Sequence, residues 1–255
     1  MQGQLIALHT IARKETVRII RIWLQTLVPP VITMTLYFII FGNLIGSRIG
    51  EMAGFDYMQY MAPGLIMMSV ITNSYGNVVS SFFSAKFQGH LQEMLVAPIH
   101  SYVIILGHVA GGIVRGLAVG TVVTVVALFF TDFKVQHPLI AISMLVLTAA
   151  VFSLGGMINA IFATKYDDVA IIPSFVLAPL TYLGGVFYTT ALLPDFWASV
   201  SAFNPILYMV NGFRYGILGV SDVNIVTAYA MIMVFLVAAF ATCYYLISQG
   251  IGIRE

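Results

Sequence analysis

Asp167 and Asp168 are the only adjacent carboxylates in this 255-residue chain, and any acid–base or metal chemistry would have to begin with them. Paired carboxylates can divide a proton between them or hold a divalent cation. These two stand in the short turn "TKYDD" between apolar runs, where they read as a solvated turn that also caps the following helix. His9, His90, His100, His108 and His137 are scattered along the chain, which argues against metal ligation. There is no HExxH, no nucleophile elbow, no GxxxxGK(S/T) phosphate loop and not one Gly-Lys dipeptide. The sequence therefore assigns no catalytic residue, no metal site and no cofactor site, and an enzyme is not expected.

Polar side chains inside apolar runs are the more suggestive chemistry. Ser69, Asn73, Asn77 and Ser81 recur at every fourth residue, so a helix would align them in one stripe. Such a stripe either hydrogen-bonds a neighbouring helix or lines a pathway. Further along, Gly112, Gly116 and Gly120 form a GxxxGxxxG face suited to close helix contact, and Arg115 lies beside it. A charge inside a span costs about 2.5–3.5 kcal/mol on insertion scales, so this arginine should face protein, water or an anionic group. Ser69, Asn73, Asn77 and Arg115 are the candidate pathway residues.

The elements that must hold these groups follow from composition. The chain is 60% hydrophobic and 8% charged, with a mean hydropathy of +0.98. A soluble fold of this size exposes too much area to hide that apolar surface, so lipid must be the solvent for most of it. The net charge of +1 gives no pull towards nucleic acid, and a single cysteine, Cys243, excludes an intramolecular disulfide. Six segments approach the ~20 residues a bilayer core requires. They lie at about 27–46, 57–83, 102–130, 138–163, 169–187 and 223–247, and leave no stretch for a soluble domain. The expected fold is an all-α integral membrane protein, a single transmembrane domain over 1–255.

Placing both termini in the cytoplasm puts Arg13, Lys14, Arg18, Arg21, Lys86, Lys165 and Arg254 inside, against Arg48, Lys134 and Arg214 outside. The N-terminus lacks the cleavage site of a signal peptide. Residues 5–25 instead read as an amphipathic interfacial helix, with Lys14, Arg18, Arg21 and Gln25 on one face and Ala12, Thr16, Ile19, Ile20 and Trp23 opposite. Its basic face would meet anionic membrane lipid. Pro29 and Pro30 fit the first turn of the helix that follows. Between spans five and six, residues 188–218 hold two helices too short to cross, about 195–202 and 205–218, with Asn204–Pro205 as cap and first helical position. They read as a re-entrant helical hairpin from the outer face, which at such depth must be covered and so implies a tight subunit contact.

The stretch "FQGHLQEMLVAPIH" (87–100) gathers polar residues between two long apolar runs. Gly89 allows a sharp exit from span two, and Pro98 stops the short helix before span three. Leu91, Met94 and Leu95 beside Gln92 and Glu93 suit half-buried docking in a partner's groove.

Together these features resemble the ABC-2 type permeases, the membrane subunits of ATP-driven exporters, over nearly the whole chain. The stretch at 87–98 resembles the family's cytoplasmic motif through Gly89, Glu93, Leu95 and Pro98, with His90, Gln92 and Met94 as departures. "LP" at Leu193–Pro194, "NP" at Asn204–Pro205, Tyr208 and Arg214 match its hairpin order and spacing. "RIWLQTLVPPVITMTLYFIIFGNLIGSRIG" and "LTYLGGVFY" resemble one bacterial branch in particular. The resemblance implies that 87–98 is a coupling helix, with Gly89, Leu91, Gln92, Glu93, Leu95 and Pro98 as the residues that meet a cognate ATPase subunit. It also implies a homodimer of this chain, two ATPase copies carrying ATP and magnesium, a bacterial inner membrane location, and outward transport by alternating access. Abundant Met, Phe and Tyr suit an amphiphilic or hydrophobic cargo: lipid, glycan or drug-like. The alternatives are an integral-membrane lipid-modifying enzyme or a non-transporting assembly subunit.

Overall fold

The computed structural model describes residues 2–132 and 134–253, apart from the side chain of Asn43; Arg254, counted above for orientation, lies outside the described residues. The chain is almost entirely helical. Helix α1 (Gln2–Arg21) is followed after one residue by α2 (Trp23–Tyr37), which continues through a π-helical stretch (Phe38–Ile45) into α3 (Gly46–Ile49). A two-stranded ribbon, Glu51–Met52 against Phe55–Asp56, turns the chain back. Both of its turn residues, Ala53 (φ 52°) and Gly54 (φ 80°), have positive φ, which a tight hairpin demands.

Helix α4 (Tyr57–Phe87), capped by the Asp56 carboxylate on the Met58 amide at 3.0 Å, is the central post. Against it pack α6 (Ser101–Leu128) and α7 (Pro138–Phe162), and the short α5 (His90–Val96) joins α4 to α6. Next come α8 (Tyr166–Ile172), a π-helical stretch (Pro173–Leu177) and α9 (Ala178–Tyr182), then α10 (Asp195–Ala202), α11 (Pro205–Leu218) and α12 (Ile225–Gln249). Among the described residues, four helical segments are long and apolar enough to cross a membrane: Trp23–Ile49, Ser101–Leu128, Pro138–Phe162 and Ile225–Gln249. The molecule is an all-α membrane protein.

Pro29 and Pro30 do not stand in a first turn, as expected, but well inside α2, because the helix already starts at Trp23. Each lacks an amide, so the carbonyls of Gln25 and Thr26 lose their helical donors there.

Glycine sets how close α6 comes to its neighbours. A Cβ at Gly107 would lie 2.7 Å from Cβ of Ile11, and one at Gly111 would lie 2.6 Å from Cβ of Glu15, so this edge takes in α1. A Cβ at Gly112 would lie 2.8 Å from Val78, and one at Gly120 would lie 2.8 Å from Val70, so the adjacent edge takes in α4. Small residues let backbones approach where lipid gives helices no hydrophobic reason to associate.

Candidate functional site

The described polar chemistry falls into four places. The first is α5. Gly89 sits at φ +80°, which lets the chain leave α4 sharply, and α5 then runs for only seven residues. Leu91 is fully buried in the protein's own core, and Met94 and Leu95 pack partly against it. Leu91 is thus a correction: it anchors the helix to its own bundle and has no surface to offer a partner. Gln92, Glu93, Val96 and Pro98 are exposed, with Val96 at 88%. The Gln4 side chain donates to the Pro98 carbonyl at 2.8 Å and accepts from the His100 amide at 3.1 Å, fastening α1 to the exit of α5. Lys86 donates to the carbonyls of Ile161 (2.6 Å) and Ala163 (2.8 Å), joining the ends of α4 and α7. A groove of about 450 Å³ opens beside α5, lined among others by Phe87, Gln92, Thr164 and Ile253.

The second place is the seat of α1. Its bundle-facing residues are Ile11, Glu15 and Ile19, whereas Ile20 and Trp23 of the expected apolar face are exposed. Glu15 is only 1% exposed. It accepts from the Ser81 hydroxyl at 2.5 Å and pairs with Arg18 at 2.9 Å. Arg18 in turn donates to Oδ1 of Asn77 at 2.8 Å. So the lower half of the polar stripe packs helices together, and Arg18 of the basic face turns towards α4. Sequence reasoning missed Glu15; the signal was a lone acid among bases, one helical turn after Ile11, opposite the glycines of α6. A hollow of about 580 Å³ is lined by α1 residues and is the open flank of this helix.

The third place holds the upper half of the stripe. Ser69, Asn73 and Arg115 line a recess of about 320 Å³ between α2, α4 and α6, with Gln25, Pro29 and Thr33 on the opposite wall. Ser69 and Asn73 bond back to their own helix, to the carbonyls of Leu65 and Ser69, each at 3.0 Å. Arg115 has no hydrogen-bond or ion-pair partner among the described residues, and its Nε is buried. The structure separates Asn77 from this group, since its amide faces α1 and α6.

The fourth place is the helical hairpin before α12. Its helices occupy Asp195–Ala202, preceded by Pro194, and Pro205–Leu218. Asn204 caps α11 through the Ile206 amide at 3.0 Å and donates to the Leu180 carbonyl at 2.6 Å. The Tyr208 hydroxyl donates to the Ala202 carbonyl at 2.8 Å, closing the two helices together. Arg214 is fully buried. It donates to the carbonyls of Tyr60 (3.3 Å) and Gly185 (2.6 Å) and to Oδ1 of Asn211 (3.2 Å), and lies 4.0 Å over the Tyr60 ring. Asp222 accepts from the Thr190 amide and the Thr189 hydroxyl close by. The cover over α11 comes from α4, α7 and α12 of this same chain, so no second subunit is needed to shield it.

No group of three or more metal-ligating side chains exists among the described residues. Asp168 accepts from the amides of Thr164 (2.9 Å) and Lys165 (3.0 Å) and from the Thr164 hydroxyl (2.8 Å), which is the work of a cap.

The fold is a helical bundle with four segments long and apolar enough to cross a membrane, and comparison with known proteins says which family it belongs to. Residues 6–218 match the ABC-2 type transporter family, and the chain belongs to it. The bacterial branch that its stretches resemble is the YadH-like one. The chain is 59% identical over 250 residues to the inner membrane transport permease YadH of Escherichia coli K12, covering 98% of both chains, and equally to that of Shigella flexneri. Nodulation protein J of Rhizobium leguminosarum bv. viciae is 23% identical over 200 residues, covering 78% of this chain and 77% of its own length.

Proposed function

We propose that this chain is the membrane subunit of an ATP-binding cassette exporter of the inner membrane, working as a homodimer with two copies of a cognate ATPase. In this reading α4 and the broken α8–α9 helix join the four apolar segments to make six spans. Both termini are cytoplasmic, and the hairpin of α10 and α11 re-enters from the outer face. The ATPase subunits bring ATP and magnesium, and their closure swings the pathway from inward to outward. Cargo is amphiphilic or hydrophobic.

The observation that carries the reading is the build of α5. A seven-residue helix is held rigidly to its own bundle by Leu91 from below and by Gln4 at its exit, yet it presents Gln92, Glu93 and Val96 outward beside a groove. That is a surface made to be pushed. Val96→Asp places a carboxylate where an apolar contact would form, which costs a few kcal/mol at a docked surface. The expected outcome is loss of the co-purifying ATPase and of transport with the bundle still inserted. Unchanged co-purification and transport would falsify the coupling assignment.

A further inference from the structure

The charge balance around α1, α4 and α6 does not close. Arg18 and Arg115 both stand there, and the one acid, Glu15, is already taken by Arg18 and Ser81. Arg115 lies fourteen residues into α6, roughly 21 Å from its start, where an unpaired cation is costly. An anion from outside the protein is the missing partner.

We propose that the recess between α2, α4 and α6 seats the anionic headgroup of an amphiphile, with Arg115 as its counter-charge. The wall chemistry selects this class. Ser69 and Thr72 spend their hydroxyl protons on the carbonyls of Leu65 and Met68, and Asn73 spends one amide proton on Ser69. The donors left are the Arg115 guanidinium, the Gln25 amide, the second amide proton of Asn73 and the Thr33 hydroxyl. No acid lines the recess, so a cation finds no charge there and an oxyanion finds several donors. A volume of about 320 Å³ holds a headgroup but not a whole lipid or a sugar chain. Met34 and Met68 form an adaptable apolar border, and Ile32 (56% exposed) and Leu36 (52%) continue along α2 as a track for an acyl chain. The proposal deepens the transport reading, and rests on it only in treating the occupant as cargo; the binding itself does not require the ATPase.

The test uses the full chain purified in an uncharged detergent, with thermal unfolding followed as lyso-phosphatidylglycerol, lyso-phosphatidylcholine or inorganic phosphate is added. Lyso-phosphatidylglycerol is expected to raise the midpoint by a few degrees, as any ligand specific to the folded state does. Lyso-phosphatidylcholine and inorganic phosphate are expected to leave it in place. Arg115→Gln should weaken the response about tenfold or more, with Arg115→Lys between the two. Thr33→Trp, which fills the recess from the α2 wall without touching the charge, should abolish it, and carries the test if Arg115→Gln does not fold. An equal shift with lyso-phosphatidylcholine, or a shift unaltered by both variants, overturns the site. An equal shift with inorganic phosphate keeps the oxyanion seat and overturns the amphiphile. A specific lyso-phosphatidylglycerol response in a protein that binds no ATPase leaves the site standing and removes the transport reading.

Discussion

Arg214 and Arg115 are the same side chain treated in opposite ways. Arg214 is walled in at the hairpin of α10 and α11, with three hydrogen-bond acceptors and an aromatic face around one guanidinium. Arg115 stands at the edge of an open recess with no acceptor among the described residues. A buried charge that is fully bonded fixes a structure, because moving it strands each partner. A charge left without partners in a place roomy enough for one more molecule is set apart for that molecule. Burial alone does not separate the two roles; partner accounting does.

The contrast can be tested through charges that differ in how completely they are enclosed. Arg214→Leu should have the largest effect, since it strands the Asn211 side chain and the Tyr60 and Gly185 carbonyls inside protein, each at about 1–3 kcal/mol. Expression as an aggregate, or a hairpin that a protease cuts, is the expected result; a well-assembled variant would mean that the hairpin does not depend on its arginine. Glu15→Ala should be milder. It frees Arg18 and leaves Ser81 without its acceptor, but Arg18 is 29% exposed and can turn towards headgroups, so about 1–3 kcal/mol is expected. Limited proteolysis between α1 and α2 reads this directly, and unchanged protection would show that packing against Gly107 and Gly111 holds α1 by itself.

Asp168 supplies the lower limit. It accepts three hydrogen bonds, as many as Arg214 makes, but is only partly buried, at the surface. The Thr164 amide and hydroxyl and the Lys165 amide hold its carboxyl below the usual carboxylate range. A depressed pKa stabilises above the unfolded-state value and is lost as pH falls through the folded one. Amide-exchange protection at Thr164 and Lys165 should therefore be flat around neutrality and disappear only in acid, and Asp168→Asn should leave the melting temperature unresolved from the parent. A large destabilisation would break the rule that enclosure, not bond number, sets the cost.

Much of this was readable in the residues. The caps and prolines at Pro194, Asn204 and Pro205 delimit two short helices, and the structure has them at 195–202 and 205–218 because cap chemistry is local. The polar stripe was readable as a stripe, but its split between Asn77 and Ser81 on one side and Ser69 and Asn73 on the other was not. That division depends on how far α1 reaches along α4, which no periodicity encodes. Glu15 was overlooked for the same reason: its partner Ser81 lies 66 residues away. Proline favours a helix start, which is what Pro29 and Pro30 suggest, whereas α2 carries them internally at the loss of two backbone hydrogen bonds. Leu91 was read for docking on its apolarity alone, and only the tertiary fold shows which side of α5 it occupies.

The seat of α1 also sets an order of events during synthesis. This helix is made before its partners, since Ser81 follows Glu15 by 66 residues and His100 follows Gln4 by 96. At roughly 5–20 residues per second, several seconds pass before those partners exist. Through that interval the Glu15 carboxylate keeps water where the Ser81 hydroxyl will later stand. An element made before its partners is thus locked only after them, once the glycine edge of α6 has arrived.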